Sequence, residues 1–188
     1  MLPVEQEKTS LSDETLQKLR DYKASPLKKA ALNILVKMAS EENVKEYWAI
    51  STLKDQFDAI NKDGTGIIKA SEIVQATKER KVKMSSSEAK ALVKEVAYQR
   101  EDGISFTDFL SATLNLKLLV TEHRMEAIFT MFDTSQNQKL TAEDIYIAFE
   151  KFGLTKYSLE EIDEMIQNHP RRREESISFR EFKTVFDT

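Results

Sequence analysis

An all-α fold is predicted by three features of this 188-residue sequence: few turn residues, amphipathic helical stripes, and a 36-residue spacing that returns them four times. Only four glycines and three prolines are present, too few for the turns of a long all-β chain. Hydrophobic residues make up 40%, enough for a core and against wholesale disorder. The length suits one ordinary domain or two small lobes.

The elements begin with a segment outside the repeats, residues 10–43. Ser10 or Ser12 can cap a first helix carrying Leu16 and Leu19. Ser25-Pro26 breaks that helix and opens another, with proline at the first helical position. Leu27, Ala31, Ile34, Leu35 and Met38 form one apolar stripe, and Lys28, Lys29 and Lys37 lie off it. Residues 16–37 hold six basic side chains against Asp21 alone, a local charge of +5 that leaves −9 for the rest of a chain of net charge −4. A basic segment on an acidic body predicts that one part docks on the other.

Beyond it, four strings resemble one another: GIIKASEI, GISFTDF, KLTAEDI and SISFREF. Each has an aliphatic residue (Ile68, Ile104, Leu140, Ile177) and, four positions on, a carboxylate (Glu72, Asp108, Asp144, Glu181). The spacings are 36, 36 and 37, and Phe57, Val93, Phe129 and Ile166 in the preceding segments keep the same spacings. Around these four lie i, i+3, i+4, i+7 stripes, for example Leu53, Phe57 and Ile60, the signature of amphipathic helices. Each unit therefore reads as helix, loop of about twelve residues, helix.

These units resemble the EF-hand family, in which a twelve-residue loop wraps Ca²⁺ in oxygens. The resemblance implies an all-α fold of two EF-hand pair lobes, four hands mostly degenerate, behind an N-terminal amphipathic junction helix. It also implies short antiparallel ribbons, Ile68 against Ile104 and Leu140 against Ile177. The implied division is a junction segment 1–43, a first lobe 44–116 and a second lobe 117–188.

Residue by residue, the loops differ. Loop 1, residues 61–72, offers Asn61, Asp63 and Thr65, the Ile67 carbonyl and the bidentate Glu72, with Gly66 at the turn. Asn61 replaces an aspartate and Lys69 adds positive charge, so reduced affinity is expected. Loop 3, residues 133–144, offers Asp133, Ser135, Asn137, the Lys139 carbonyl and Asp144. Gln138 stands where glycine belongs, at a cost on the order of 1 kcal/mol in a left-handed conformation. Asp144 is one methylene shorter than glutamate, which favours Mg²⁺ or weak Ca²⁺. Loop 2, residues 97–108, starts at Ala97, which has no ligand oxygen, and puts Asp102 at the glycine position. Loop 4, residues 170–181, carries Arg171, Arg172 and Arg173, which repel a cation. One Ca²⁺ site is expected, at most two, with loops 2 and 4 as structural partners.

Residues 26–39 look like a calmodulin-target helix. The whole stretch from residue 14 to 187 resembles the junction and calmodulin-like regulatory domain of calcium-dependent protein kinases of plants and protists. The motifs that carry this are LKKAAL at 27–32, FLSATLNLKLLVTEHRMEAIFTMFD at 109–133 and FEKFGLTKYSLEEI at 149–162. The resemblance implies a calcium-responsive regulatory segment of a Ser/Thr protein kinase. Its partners would be its own junction helix (Leu27, Lys28, Lys29, Ala31, Ile34, Leu35, Met38) and a kinase catalytic domain. A lobe groove would be lined by phenylalanines such as Phe57, Phe106, Phe109, Phe129, Phe132, Phe149, Phe179 and Phe182, most of which serve equally as core.

The rival readings are a metal-independent scaffold that holds a helix constitutively, and a free-standing sensor that binds another protein. Catalysis by this chain is not expected. It has no Gly-rich loop, HRD-like loop or DFG, no cysteine, and two histidines, His123 and His169, 46 residues apart. His169 reads as a packed or capping residue. Acidic balance argues against nucleic acid. No apolar run approaches the roughly 20 residues of a membrane span. Together with the lack of cysteine and of a signal-peptide core, this places the expected site of action in the cytoplasm.

Overall fold

The computed structural model describes residues 10–38, 44–98, 100, 102–152, 157–168 and 175–186. It divides into two compact units. The first joins the described residues up to 23 with those from 44 to 115, and the second joins residues 24–38 with those from 116 onward. The described residues of the expected junction segment thus divide between the units, 10–23 in the first and 24–38 in the second.

The first unit opens with α1, Asp13–Asp21. Ser12 is its cap, its Oγ accepting from the Thr15 N–H at 3.1 Å. Asp13 and Glu14 sit in the first turn, Lys18 and Arg20 in the last, as the helix dipole favours. Two tethers fix α1. The Ser12 N–H donates to Gln56 Oε1 at 2.8 Å, and Arg80 pairs with Asp13 at 2.7 Å. Leu11, Leu16 and Leu19 enter the same core as Phe57, Val93, Ile104 and Phe109.

The first pair of hands follows as α3 (Val44–Ile60), β1 (Ile67–Ile68) and α4 (Ala70–Glu79), then α5 (Ser86–Val96), β2 (Ile104–Ser105) and α6 (Phe106–Thr113). β1 and β2 pair antiparallel with Ile68 opposite Ile104, the register the aliphatic positions predict. Gly103 makes that pairing possible. A Cβ there would meet Ile67 Cγ2 at 2.3 Å and the Ile68 carbonyl oxygen at 2.8 Å, so only glycine lets the strands approach.

The second unit begins with α2, Pro26–Lys37, capped by Ser25, whose Oγ accepts from the Lys28 N–H at 3.2 Å. Then come α7 (Leu116–Leu119), α8 (Glu122–Phe132), β3 (Lys139–Leu140), α9 (Ala142–Lys151), α10 (Leu159–Gln167), β4 (Ile177–Ser178) and α11 (Phe179–Lys183), which ends in a 3₁₀ turn at Thr184–Phe186. β3 and β4 pair antiparallel with Leu140 opposite Ile177, again as predicted. The aromatic centre is Phe132, with ring centroids 6.1 Å from Phe149 and 6.2 Å from Phe182. Helix α2 lies against α8 and the 3₁₀ turn.

The burial of α2 corrects one expectation. Lys28 and Lys29 do not stand off the apolar stripe in solvent; both are buried, as are Ala30 and Leu32, and only Lys37 is exposed. Long aliphatic stems let lysines bury along an apolar surface, and neither residue lacks a partner. The phenylalanines are largely core: Phe57, Phe109, Phe129, Phe132, Phe149 and Phe182 are buried, and Phe106 and Phe179 are half-buried. Among the described residues no helix is long and apolar enough to cross a membrane.

Candidate metal sites

Each loop ends at a helix start, and that junction is built the same way in hands 2, 3 and 4. The hydroxyl at position 9 (Ser105, Thr141, Ser178) accepts from the backbone N–H of the carboxylate at position 12, and that carboxylate accepts from the backbone of position 9. This reciprocal capping box satisfies two of the helix's orphan donors. The position that would chelate calcium therefore already serves as a helix cap, which explains how degenerate loops keep their shape.

Loop 1 is the departure. Lys69 occupies position 9, and its side chain provides no cap. Glu72 still closes the loop: Oε2 accepts from the Lys69 N–H at 2.9 Å and Oε1 from the Asp63 N–H at 3.3 Å. Asp63 Oδ1 accepts from the Thr65 N–H at 3.0 Å and the Thr65 hydroxyl at 2.7 Å. The Asn61 amide is oriented by its neighbours. With its oxygen on the Gly66 N–H at 3.0 Å, its nitrogen donates to Asp63 Oδ1 at 3.1 Å. Gly66 sits at φ 78°, the left-handed turn that the sequence predicts there. The remaining Asp63 oxygen, Oδ2, is met by the Lys69 ammonium at 2.6 Å. The hydrogen bond from Lys69, with those from Thr65, brings the Asp63 pKa down to about 2.

The structure thus brings Asn61, Asp63, Thr65 and Glu72 together around one loop, with the Ile67 carbonyl oxygen 3.2 Å from the Thr65 hydroxyl oxygen. These are hard oxygen donors of the kinds that suit Ca²⁺, with two carboxylates for charge. The donor set fits the ion in kind and is poor in charge. Among the described residues no group of three or more His, Cys, Asp or Glu converges as a metal cluster.

Loop 3 is closed by its own side chains. Asp144 is buried, and both of its oxygens are engaged. Oδ1 accepts from the Ser135 N–H at 2.8 Å and the Thr134 hydroxyl at 2.9 Å. Oδ2 accepts from the Thr141 hydroxyl at 2.9 Å, the Thr141 N–H at 3.1 Å and the Ser135 hydroxyl at 3.1 Å. Burial alone would raise the Asp144 pKa, but these hydrogen bonds outweigh it and hold the carboxyl below its ordinary value. Asp133 accepts from the Asn137 N–H at 3.0 Å and the Gln138 N–H at 2.8 Å. Asn137 Oδ1 is taken by the Lys139 N–H at 2.9 Å. Gln138 adopts φ 63° as expected, and Gln136 joins it at φ 58°.

In loop 2, Ala97 is buried, and Arg100 pairs with Asp102 at 3.1 Å, which lowers the Asp102 pKa. In loop 4 the residues expected to face an ion, Pro170, Arg172 and Glu174, lie outside the described residues, as does His169. Glu181 caps α11, its Oε2 accepting from the Ser178 hydroxyl at 2.6 Å and N–H at 2.9 Å.

Sequence reasoning missed three participants. Thr134 stands at a loop position that supplies no ligand, so ligand spacing does not flag it. Lys69 was visible as a charge, but its reach to Asp63 was not. Gly103 has an ordinary φ, and its need comes from the facing strand.

The helix–loop–helix units are paired through two-residue ribbons, and residues 50–114 match the family model of the EF-hand domain pair. Over most of its length the chain is similar to calcium-dependent protein kinases. It is 27% identical over 153 residues to calcium-dependent protein kinase 11 of Oryza sativa subsp. japonica, covering 81% of this chain and 26% of that protein. It is 25% identical to calcium-dependent protein kinases 22 and 34 of Arabidopsis thaliana, covering 90% and 92% of this chain and 33% and 32% of theirs. The chain spans at most a third of the length of these relatives.

Proposed function

We propose that this chain is a calcium-responsive regulatory segment of a calcium-dependent Ser/Thr protein kinase, with Ca²⁺ held in loop 1 and the junction helix held by the C-terminal hands. The observation that carries the reading is the asymmetry of the loops. Loop 1 keeps a glutamate at position 12, a left-handed glycine at position 6 and side-chain oxygens at positions 1, 3 and 5, while loop 3 has the shorter, buried Asp144 at position 12 and Gln138 at position 6. In this reading Asn61, Asp63, Thr65, the Ile67 carbonyl and Glu72 hold the ion. When bound, Ca²⁺ supplies the positive charge that gathers those oxygens. Glu72, whose oxygens accept from the Asp63 and Lys69 N–H groups, would supply the position-12 carboxylate to the ion. The lobes are taken as 44–116 and 117–188.

The placement of α2 against α8 and the 3₁₀ turn supports the second half of the proposal. Leu27, Ala31, Ile34 and Leu35 supply the apolar grip, and Lys28, Lys29 and Met38 complete it. The kinase catalytic domain is the proposed partner, and the cytoplasm the proposed site of action.

The closed hydrogen-bond network of loop 3 favours a second reading for the C-terminal hands: a metal-independent clamp on α2, with neither Ca²⁺ nor Mg²⁺ needed at Asp133, Ser135, Asn137, the Lys139 carbonyl and Asp144. Native-state hydrogen exchange of α2 with and without Ca²⁺ separates the two. Protection of α2 that is lost or gained with Ca²⁺ supports a switch; protection unchanged by saturating Ca²⁺ supports the clamp.

A further inference from the structure

We infer that Lys69 is a tethered counter-cation of loop 1: its ammonium occupies the Asp63 oxygen that an incoming Ca²⁺ needs, and so sets the calcium threshold of the loop. The inference rests on the reading of loop 1 as the calcium site.

Two observations carry it. The first is geometric. Lys69 Nζ lies 2.6 Å from Asp63 Oδ2, while Asp63 Oδ1 is occupied by Thr65. Both oxygens of the position-3 carboxylate are therefore already engaged, and an incoming ion competes with the ammonium for Oδ2. The second is an internal comparison. At the equivalent position the other three hands place Ser105, Thr141 and Ser178, and each hydroxyl caps the helix that follows. Lysine cannot accept a hydrogen bond, and α4 has no side-chain cap. The one loop that keeps both the turn glycine at position 6 and a glutamate at position 12 is the one that carries a cation where the others carry a capping hydroxyl.

The consequence is competition. A lysine on a flexible four-carbon stem is a mobile point charge held at high effective concentration beside Asp63. Binding Ca²⁺ exchanges one cation for another, and the loop changes charge by one unit rather than two if the ammonium moves out to solvent. Should the ammonium stay nearby, its repulsion at about 5 Å from a divalent ion weakens binding by roughly tenfold even in a water-like dielectric. Either way Lys69 keeps loop 1 empty at calcium levels that would fill a hand with a hydroxyl at this position.

The test is Ca²⁺ calorimetry on the full chain as wild type, Lys69→Met and Lys69→Arg, each also with Glu72→Gln. Circular dichroism melts in chelator serve as the folding control, because Lys69 is about half exposed and none of these changes removes a buried group. The expected result is Ca²⁺ binding roughly tenfold or more tighter in Lys69→Met than in wild type, close to wild type in Lys69→Arg, and abolished by Glu72→Gln throughout. Equal affinity in wild type and Lys69→Met overturns the tethered-cation role while leaving loop 1 as a calcium site. Binding seen only in Lys69→Met supports the role and overturns calcium sensing by the wild-type chain. No binding by any variant overturns both.

Discussion

Replacing Asp144 by asparagine tests whether hand 3 is closed by its own hydrogen bonds. Asp144 is 2% exposed and accepts five hydrogen bonds, from Thr134, Ser135 and Thr141. The three hydroxyls can rotate to new acceptors. The backbone N–H groups of Ser135 and Thr141 cannot, and they face opposite oxygens of the carboxylate. Asparagine keeps one oxygen and turns the other into a donor, so one part-buried N–H loses its acceptor whichever way the amide points. That costs about 1–3 kcal/mol. Loss of the charged member of the α9 capping box adds about 0.5–1 kcal/mol. The expected destabilisation is about 2–4 kcal/mol. It should appear in urea melts of the C-terminal hands followed by circular dichroism in the presence of a chelator, with no calcium required. The sign with pH follows from the lowered Asp144 pKa: its contribution is present above the ordinary carboxylate value of 3.8 and fades as pH falls through the folded value, so the gap between wild type and variant closes in acid. A change below about 0.5 kcal/mol in chelator would refute the self-closure argument.

Three further outcomes are expected. Leu35→Ala removes a fully buried side chain of α2 and should cost about 2–5 kcal/mol in the transition of the C-terminal hands, read by the same urea melts; a change within error would mean that α2 is not part of that folding unit. Gly103→Ala should cost about 1–3 kcal/mol in the first pair of hands, because the added methyl meets the Ile68 carbonyl, a backbone atom that cannot step aside without breaking the ribbon. In an NMR pH titration the Asp63 carboxyl should titrate at about 2 and move up toward 3.8 in Lys69→Met; the folded value is the depressed one, so whatever stability the pair adds is present above 3.8 and lost as pH falls toward 2.

Much of the fold was legible because it is written in periodicities. The recurrence of Ile68, Ile104, Leu140 and Ile177 gave both ribbon registers, and the helical stripes around Phe57 and Phe129 gave the cores. Turn chemistry was legible at single residues, at Gly66 and at the strained Gln138. The division of the junction segment was not. Leu16 and Leu19 on α1, and Leu27 and Leu35 on α2, are equally apolar, and an apolar stripe does not say which core it will fill. The burial of Lys28 and Lys29 was missed for a related reason: a lysine stem is apolar, and the helix-wheel reading counts only its charge. In the loops, ligand positions name the residues that face an ion and pass over those that face each other. Thr134 on Asp144 and Lys69 on Asp63 are such contacts, set by side-chain reach.

The central claim is that calcium binding is confined to loop 1. The most direct measurement is the Ca²⁺ stoichiometry by titration calorimetry at millimolar Mg²⁺, for wild type, Glu72→Gln and Asp144→Asn, with the fluorescence of the exposed Trp48 on α3 as a parallel signal. The account predicts one Ca²⁺ per chain, lost in Glu72→Gln and retained in Asp144→Asn. Binding that survives Glu72→Gln and disappears in Asp144→Asn would place the site in loop 3 and contradict it, and no binding by wild type would leave a helix-holding scaffold of EF-hand descent.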